Sequence, residues 1–262
     1  GSENVAVGMD ALGKVTTSSN NTGIGKSAGA NITDGHSNTA VGQGAMNSCT
    51  TGDSNIAIGR LSLRYNSTGS ANVAIGHDAL NKMTGGNNIG IGYQAMFGNS
   101  TNPTGQNNIA IGREALHDVS TGDDNIAIGS YALDKTTTSP NNVGIGYDAL
   151  GKQTTGSGRN TAIGNNAGED LTTGHSNVFV GEESGQVKQE GFNCIYIGRG
   201  SQASASNVST EVVIATDMTG KGGATTFLDG SNGTFNRKNV TTFETTSDER
   251  IKKNIVDNNS GL

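Results

Sequence analysis

The sequence predicts an all-β protein: a parallel β-solenoid, or β-roll, of about 13 coils with ~17-residue repeats, homotrimeric, followed by a small intertwined β tip. Three observations lead there. The 262 residues include 41 glycines, with aromatics at 4% and hydrophobic residues at 32%, too little bulk for one conventional core of this size. The net charge of −6 is too small for self-repulsion to keep the chain expanded. A five-residue string, Asn–β-branched–small–Ile/Val–Gly, recurs along most of the chain. A thin core of small residues, renewed at a fixed period, satisfies all three.

The period is marked by Gly8, Gly25, Gly42, Gly59, Gly76, Gly92, Gly112, Gly129, Gly146, Gly164, Gly181 and Gly198, most of them 17 residues apart. A thirteenth, worn copy has Ala215 in the glycine slot. Val or Ile stands one residue before each glycine, and Val, Ile or Thr three before. Such period-2 β-branched residues specify a short strand with one packed face. The glycine then permits a sharp corner or a positive φ. The remainder of each unit is rich in Thr, Ser, Gly and Asn, which is turn chemistry.

The residue between the two β-branched positions is Ala6, Gly23, Ala40, Ala57, Ala74, Gly90, Ala110, Ala127, Gly144 and Ala162, then Phe179 and Tyr196. A solvent-facing strand would carry Lys, Thr or Glu there. The small residues therefore predict a second buried face, pressed against identical chains around a three-fold axis, so all twelve are expected at a trimer interface. Phe179 and Tyr196 are expected to plug that axis where it opens.

Asn stands four residues before the glycine in eleven units, from Asn4 to Asn177. Stacked coil on coil, these amides would form an internal hydrogen-bonded ladder, although a turn preference alone would also select Asn. Cys194 replaces the Asn in the twelfth unit, and Cys49 lies in the loop after the third. At ~4.8 Å per coil the two lie far beyond disulfide reach, so both read as free thiols.

The organisation follows. Residues 1–3 read as an expression remnant, 4–202 as the repeat solenoid, 203–246 as a β tip with a degenerate coil at 211–215, and 247–262 as the start of another domain. That last boundary rests on Ser247-Asp248-Glu249-Arg250-Ile251-Lys252-Lys253-Asn254-Ile255. The segment resembles the opening of the endosialidase-type intramolecular chaperone that terminates phage tail fibres, tail spikes and some bacterial surface fibres. The resemblance implies that the parent chain trimerises and is then cut once between Thr246 and Ser247, with Ser247 as nucleophile and Lys252 as its base. Only 16 residues of that domain are present, so no autocleavage is expected here. A helix start with Ser247 as its N-cap would also account for the segment.

The repeats themselves resemble the AIG-containing coils of trimeric bacterial adhesin heads and phage fibre shafts. Both resemblances imply a homotrimer on a virion tail fibre or an extracellular cell surface, binding a target-cell receptor such as a glycan. Because the chaperone would follow the tip, Phe235, Arg237, Lys238 and Phe243 are the ligand-binding candidates, with aromatic faces and cations suited to sugars. Packing of these Phe residues within a trimer core accounts for them equally well. Phe97, in the lengthened unit between Gly92 and Gly112, marks a second candidate surface.

Other chemistry is weakly supported. Gly25-Lys26-Ser27 lacks the upstream glycine of a phosphate loop, where Asn20 stands instead. His36, His77, His117 and His175 lie in different coils without a second ligand at fixed spacing, so neither a metal nor a cofactor is expected. The acidic balance and absence of a basic run argue against nucleic acid, and no apolar run is long enough for membrane insertion. No enzyme is expected, though acidic residues such as Asp78, Glu114, Asp148, Glu182 and Glu183 line a charged edge. A purely structural shaft is the main alternative to receptor binding, with a polysaccharide-degrading enzyme and an ice-binding solenoid ranked lower.

Overall fold

The computed structural model describes residues 1–99 and 103–228, together with the backbone of 234–237 and 244–245. Thirteen three-residue strands, β1 (Val5–Val7) to β13 (Val212–Ile214), one per coil, stack in chain order into a single sheet. Every pairing among them is parallel and in register, as in Val5↔Thr22 and Val178↔Ile195. The turns stack as well: Gly25 N donates to Val7 O at 2.8 Å and Leu12 N to Ala28 O at 3.0 Å. The chain is a parallel β-solenoid of about thirteen coils. Parallel pairing continues past residue 202 into β14 (Thr225–Leu228), where Val213 pairs with Phe227. It then turns antiparallel through β15 (Thr234–Arg237) and β16 (Glu244–Thr245).

The facing of the strands differs from the sequence expectation. Ala40, Ala57, Ala74, Ala110, Ala127 and Ala162 are fully buried inside their own chain. Gly23, Gly90 and Gly144 are buried with them, and Phe179 and Tyr196 occupy the same inward slot with no exposed surface. Only Ala6, in the uncapped first coil, is exposed. These residues are therefore unavailable to a neighbouring chain. The reason is the thinness of the coil. A Cβ added at Gly23 would meet Leu12 Cγ at 2.9 Å and Ala28 O at 3.0 Å, so the opposite wall leaves room there for no more than a hydrogen and, in the alanine coils, for a methyl group. The bulky β-branched residues point the other way: Val7 is 56%, Ile58 40% and Ile163 42% exposed.

The opposite wall supplies the bulk. Met46, Leu63, Leu80, Met96, Leu116, Leu133 and Leu150 are fully buried, each four residues after its corner glycine. Burying one such side chain is worth about 2 kcal/mol. They sit in the left-handed region, with φ of 51° at Leu80 and Leu116, a strained conformation that the packing must repay. The corner glycines themselves lie at φ of +118° to +141°, beyond the reach of other residues. A Cβ at Gly8 would lie 2.8 Å from the carbonyl of Gly25 in the next coil. Corner and close stacking both require glycine there.

The asparagine ladder is present. Asn55 N donates to Asn38 Oδ1 at 2.9 Å, and Asn55 Nδ2 to the same oxygen at 3.1 Å and to Gly69 O at 2.9 Å. The pattern repeats to Asn177, whose Oδ1 accepts from Cys194 N at 3.1 Å. Each amide thus caps one coil and is held by the next, leaving no buried donor at that corner idle. Both cysteines are free and buried. Burial pushes the Cys49 thiol up to about 11, which keeps it protonated and unreactive.

Candidate functional site

Of the sequence-predicted ligand residues, Phe235 and Arg237 fall on the backbone of β15. Lys238, Phe243, Thr246, Ser247 and Lys252 lie outside the described residues. Phe97 is half-buried at the coil edge. Its ring stacks on His117 with centroids 5.3 Å apart, and Lys82 Nζ lies 4.8 Å from its centroid. Phe97 and His117 both stand five after their corner glycines, so coil register brings the two rings together.

Residues one after the corner glycine in coils four to seven and nine, joined by Tyr131 from two after Gly129 in coil eight, form a surface ladder that the sequence reading missed. Arg60 Nη1 lies 2.8 Å from His77 Nε2, and His77 stacks on Tyr93 at 5.6 Å. Arg113 then sits over both Tyr93 and Tyr131, at 5.8 and 5.7 Å, and Tyr131 meets Tyr147 edge-on at 5.8 Å. His77 and Tyr93 thus cover one another's faces, whereas Tyr131 and Tyr147 are nearly perpendicular. The coil register makes the ladder: residues 16 to 20 apart become neighbours at one rung spacing.

Next to it, His117, Asp118 and Asp134 offer ligand atoms within 4.8 Å of one another. The spacing of the histidines alone does not reveal this grouping, because Asp134 comes from the following coil. The Lys135 ammonium lies 3.2 Å from Asp118 and 3.0 Å from Asp134, so the protein's own cation takes the central position. One coil further, Lys152 bridges Glu169 at 2.9 Å and Asp170 at 2.6 Å, and these bonds raise its pKa. Asp148 is pushed up to about 6, first by burial and then by Glu169 and Asp134.

A second cluster is internal. Lys188 is fully buried and donates to Glu190 O at 2.5 Å and to Val208 O. Burial lowers its pKa, opposed by Cys194 and Glu211. Glu211, also buried, accepts from Tyr196 Oη at 3.0 Å, Ser204 N at 3.1 Å and Gly222 N at 2.7 Å. Glu211 N in turn donates to Cys194 Sγ at 3.4 Å, so the cluster ends the asparagine ladder. Burial is the first cause that holds Tyr196 protonated, far above the ordinary phenol range. With its atoms committed to internal bonds, the cluster locks the last coils together and offers no opening to a ligand.

No protein-family description, curated protein or solved structure matches the chain.

Proposed function

We propose that this chain is the distal part of a trimeric viral or cell-surface fibre that binds a receptor, a glycan, on a target cell. The observation that carries the reading is the uncovered sheet face. Two columns of β-branched residues run outward along all thirteen strands, with Ile56 at 39%, Ile75 at 36%, Ile128 at 37% and Ile214 at 40% exposure. Contiguous apolar surface of this extent marks an interaction face. A partner matching it at every coil needs the same rung spacing, which a parallel, in-register copy possesses. The stripe is two side chains wide, so three copies around one axis bury it fully within a triangular core. The Val/Ile columns thus replace the Ala/Gly column as the interface.

The receptor role rests on the likeness of residues 247–262 to the fibre chaperone, which would leave the preceding tip distal after the parent chain is cut between Thr246 and Ser247. A glycan array probed with the intact chain and with Phe235→Ala/Lys238→Ala tests the tip: the variant should lose the signal, and unchanged binding would remove the tip. The second reading, a structural shaft, is favoured by the unbroken run of asparagine rungs. It requires that the intact chain bind no glycan and no cell.

A further inference from the structure

The edge of coils two to four holds a cleft of about 170 Å³. Lys26 and Gln43 line it with Gly44 and Asn47, over Leu61 and Arg64. Its origin can be traced to one residue. The position two after the corner glycine is Asp10, Ser27, Leu61, Asp78, Gln94, Glu114, Tyr131, Asp148, Asn166, Glu183 and Asp217 in eleven coils. All eleven take a positive φ between 52° and 63°. Gly44, at φ 65°, is thus not demanded by the backbone. Gly200 also lacks a side chain at this position, but there Asp217 fills the space; at Gly44 a Cβ would meet only Leu61 Cδ2, at 2.9 Å, with open space on every other side.

The lining has a consistent chemistry. Neither Lys26 nor Arg64 has a carboxylate partner among the described residues, unlike Arg113, Lys135, Lys152 and Arg199 but like several other cations such as Arg60 and Lys82. The Arg64 guanidinium lies 4.7 Å from the Tyr65 ring centroid, so neither cation has its charge offset by an acid, and two such cations lining one cleft of a net-negative chain are complementary to an anion. Gln43 carries an amide that both donates and accepts, and Asn47, whose Nδ2 already donates to Ser27 O at 3.3 Å, keeps its Oδ1 and a second N–H, which matches hydroxyl groups. Leu61 supplies an apolar floor, the usual complement to a few placed polar groups in a ligand site. An engineered cavity of about 150 Å³ takes one benzene ring, so this cleft accommodates a single six-membered ring.

We propose that the cleft between Lys26 and Arg64 binds one carboxylate-bearing sugar residue, with its carboxylate between the two cations, its hydroxyls on Gln43 and Asn47, and its ring over Leu61. The proposal rests on the glycan-binding reading and moves one contact point from the tip to the side of the solenoid. Inorganic phosphate shares the charge but makes no use of the floor or the amides.

Saturation-transfer NMR on the intact chain with glucuronate, methyl glucoside and inorganic phosphate tests it. An open site with solvent-screened charges predicts glucuronate binding at about millimolar Kd. Methyl glucoside and phosphate should each bind at least about tenfold more weakly. Gly44→Asp fills the cleft with a side chain that Asp78 and Asp148 already place on this backbone, and adds a repelling charge. It should weaken glucuronate at least about tenfold, as should Arg64→Gln, while both variants keep the wild-type circular dichroism and melting temperature. Absence of glucuronate binding, equal binding of phosphate or methyl glucoside, or an unaffected Gly44→Asp variant would each overturn the cleft. If Gly44→Asp binds glycans or cells as well as the wild type, the cleft falls and the fibre reading stands. Glucuronate binding by a chain that attaches to no cell surface would retain the cleft and remove the receptor reading.

Discussion

In the coils centred on Ala57, Ala110 and Ala127 the strand contributes a methyl group to the interior and the opposite wall a Leu or Met. In the coil centred on Phe179 the allocation is reversed. Phe179 fills the interior from the strand side and stacks on Tyr196 at 5.6 Å, while Gly168 and Gly185 stand in the slots that Leu116 or Leu133 fill elsewhere. A Cβ at Gly168 would already lie 2.8 Å from the Phe179 ring. The cross-section is constant and the bulk is exchanged across it. The difference teaches that this solenoid specifies a volume per coil rather than a residue per slot.

The regions also differ in polarity, which gives the largest expected effect. The middle coils close their corner with neutral amides, whereas the last coils bury the Lys188 ammonium and the Glu211 carboxylate. Glu211→Ala leaves the Tyr196 hydroxyl and the Ser204 and Gly222 amides without their acceptor and removes a negative charge that acts on Lys188, and should cost about 3–5 kcal/mol. Lys188→Met/Glu211→Gln, which removes both charges, should recover most of that loss. Urea unfolding reads both, and equal losses would mean that the charges are uncoupled.

An exchange of bulk sharpens the packing comparison. Gly185→Leu should destabilise by about 1–3 kcal/mol through collision with Phe179, and Phe179→Ala by about 3–5 kcal/mol through the void it leaves. The double variant recreates the allocation of the middle coils, so its loss should fall below that of Phe179→Ala alone. The left-handed backbone at Gly185, φ 67°, is no obstacle, because Leu150 adopts φ 55° in the same slot. Strict additivity would contradict the constant-volume account.

The smallest effect concerns the acidic edge of coils eight to ten. Asp148 titrates near 6 in the folded chain, above the 3.8 of a free aspartate. The folded state therefore holds its proton more tightly, and this residue costs stability as pH rises from about 4 to 6. Above that window the cost is complete, and below it the cost vanishes. Asp148→Asn should raise the melting temperature slightly at pH 7 and leave it unchanged at pH 4. A larger gain at pH 4 than at pH 7 would reverse the sign and refute the assignment.

The pitch, the corner glycines and the asparagine ladder are legible in the sequence because each coil restates the same backbone demand. The facing of the strands is not. A period of two separates two faces without saying which lies inside, and bulk is a misleading guide where the interior admits one methyl group. Lys188 is hidden for a related reason. Three residues after Gly29 and Gly168 the chain places Ile32 and Leu171, both fully buried. The same offset from Gly185 reaches Lys188 and marks it as internal. The surface ladder from Arg60 to Tyr147 mixes charge and aromatic character, so it emerges only once the coils are stacked.

The central claim is that the outward Val/Ile columns are covered by two further copies of the chain. Size-exclusion chromatography with light scattering, run on the wild type and on Ile126→Glu/Ile128→Glu, tests it most directly. The account predicts a wild-type particle of three times the 26.6 kDa chain mass, and a monomer for the variant, whose charges would face one another across the axis. A stable, soluble wild-type monomer of 26.6 kDa would contradict it, as would a variant that still forms the trimer.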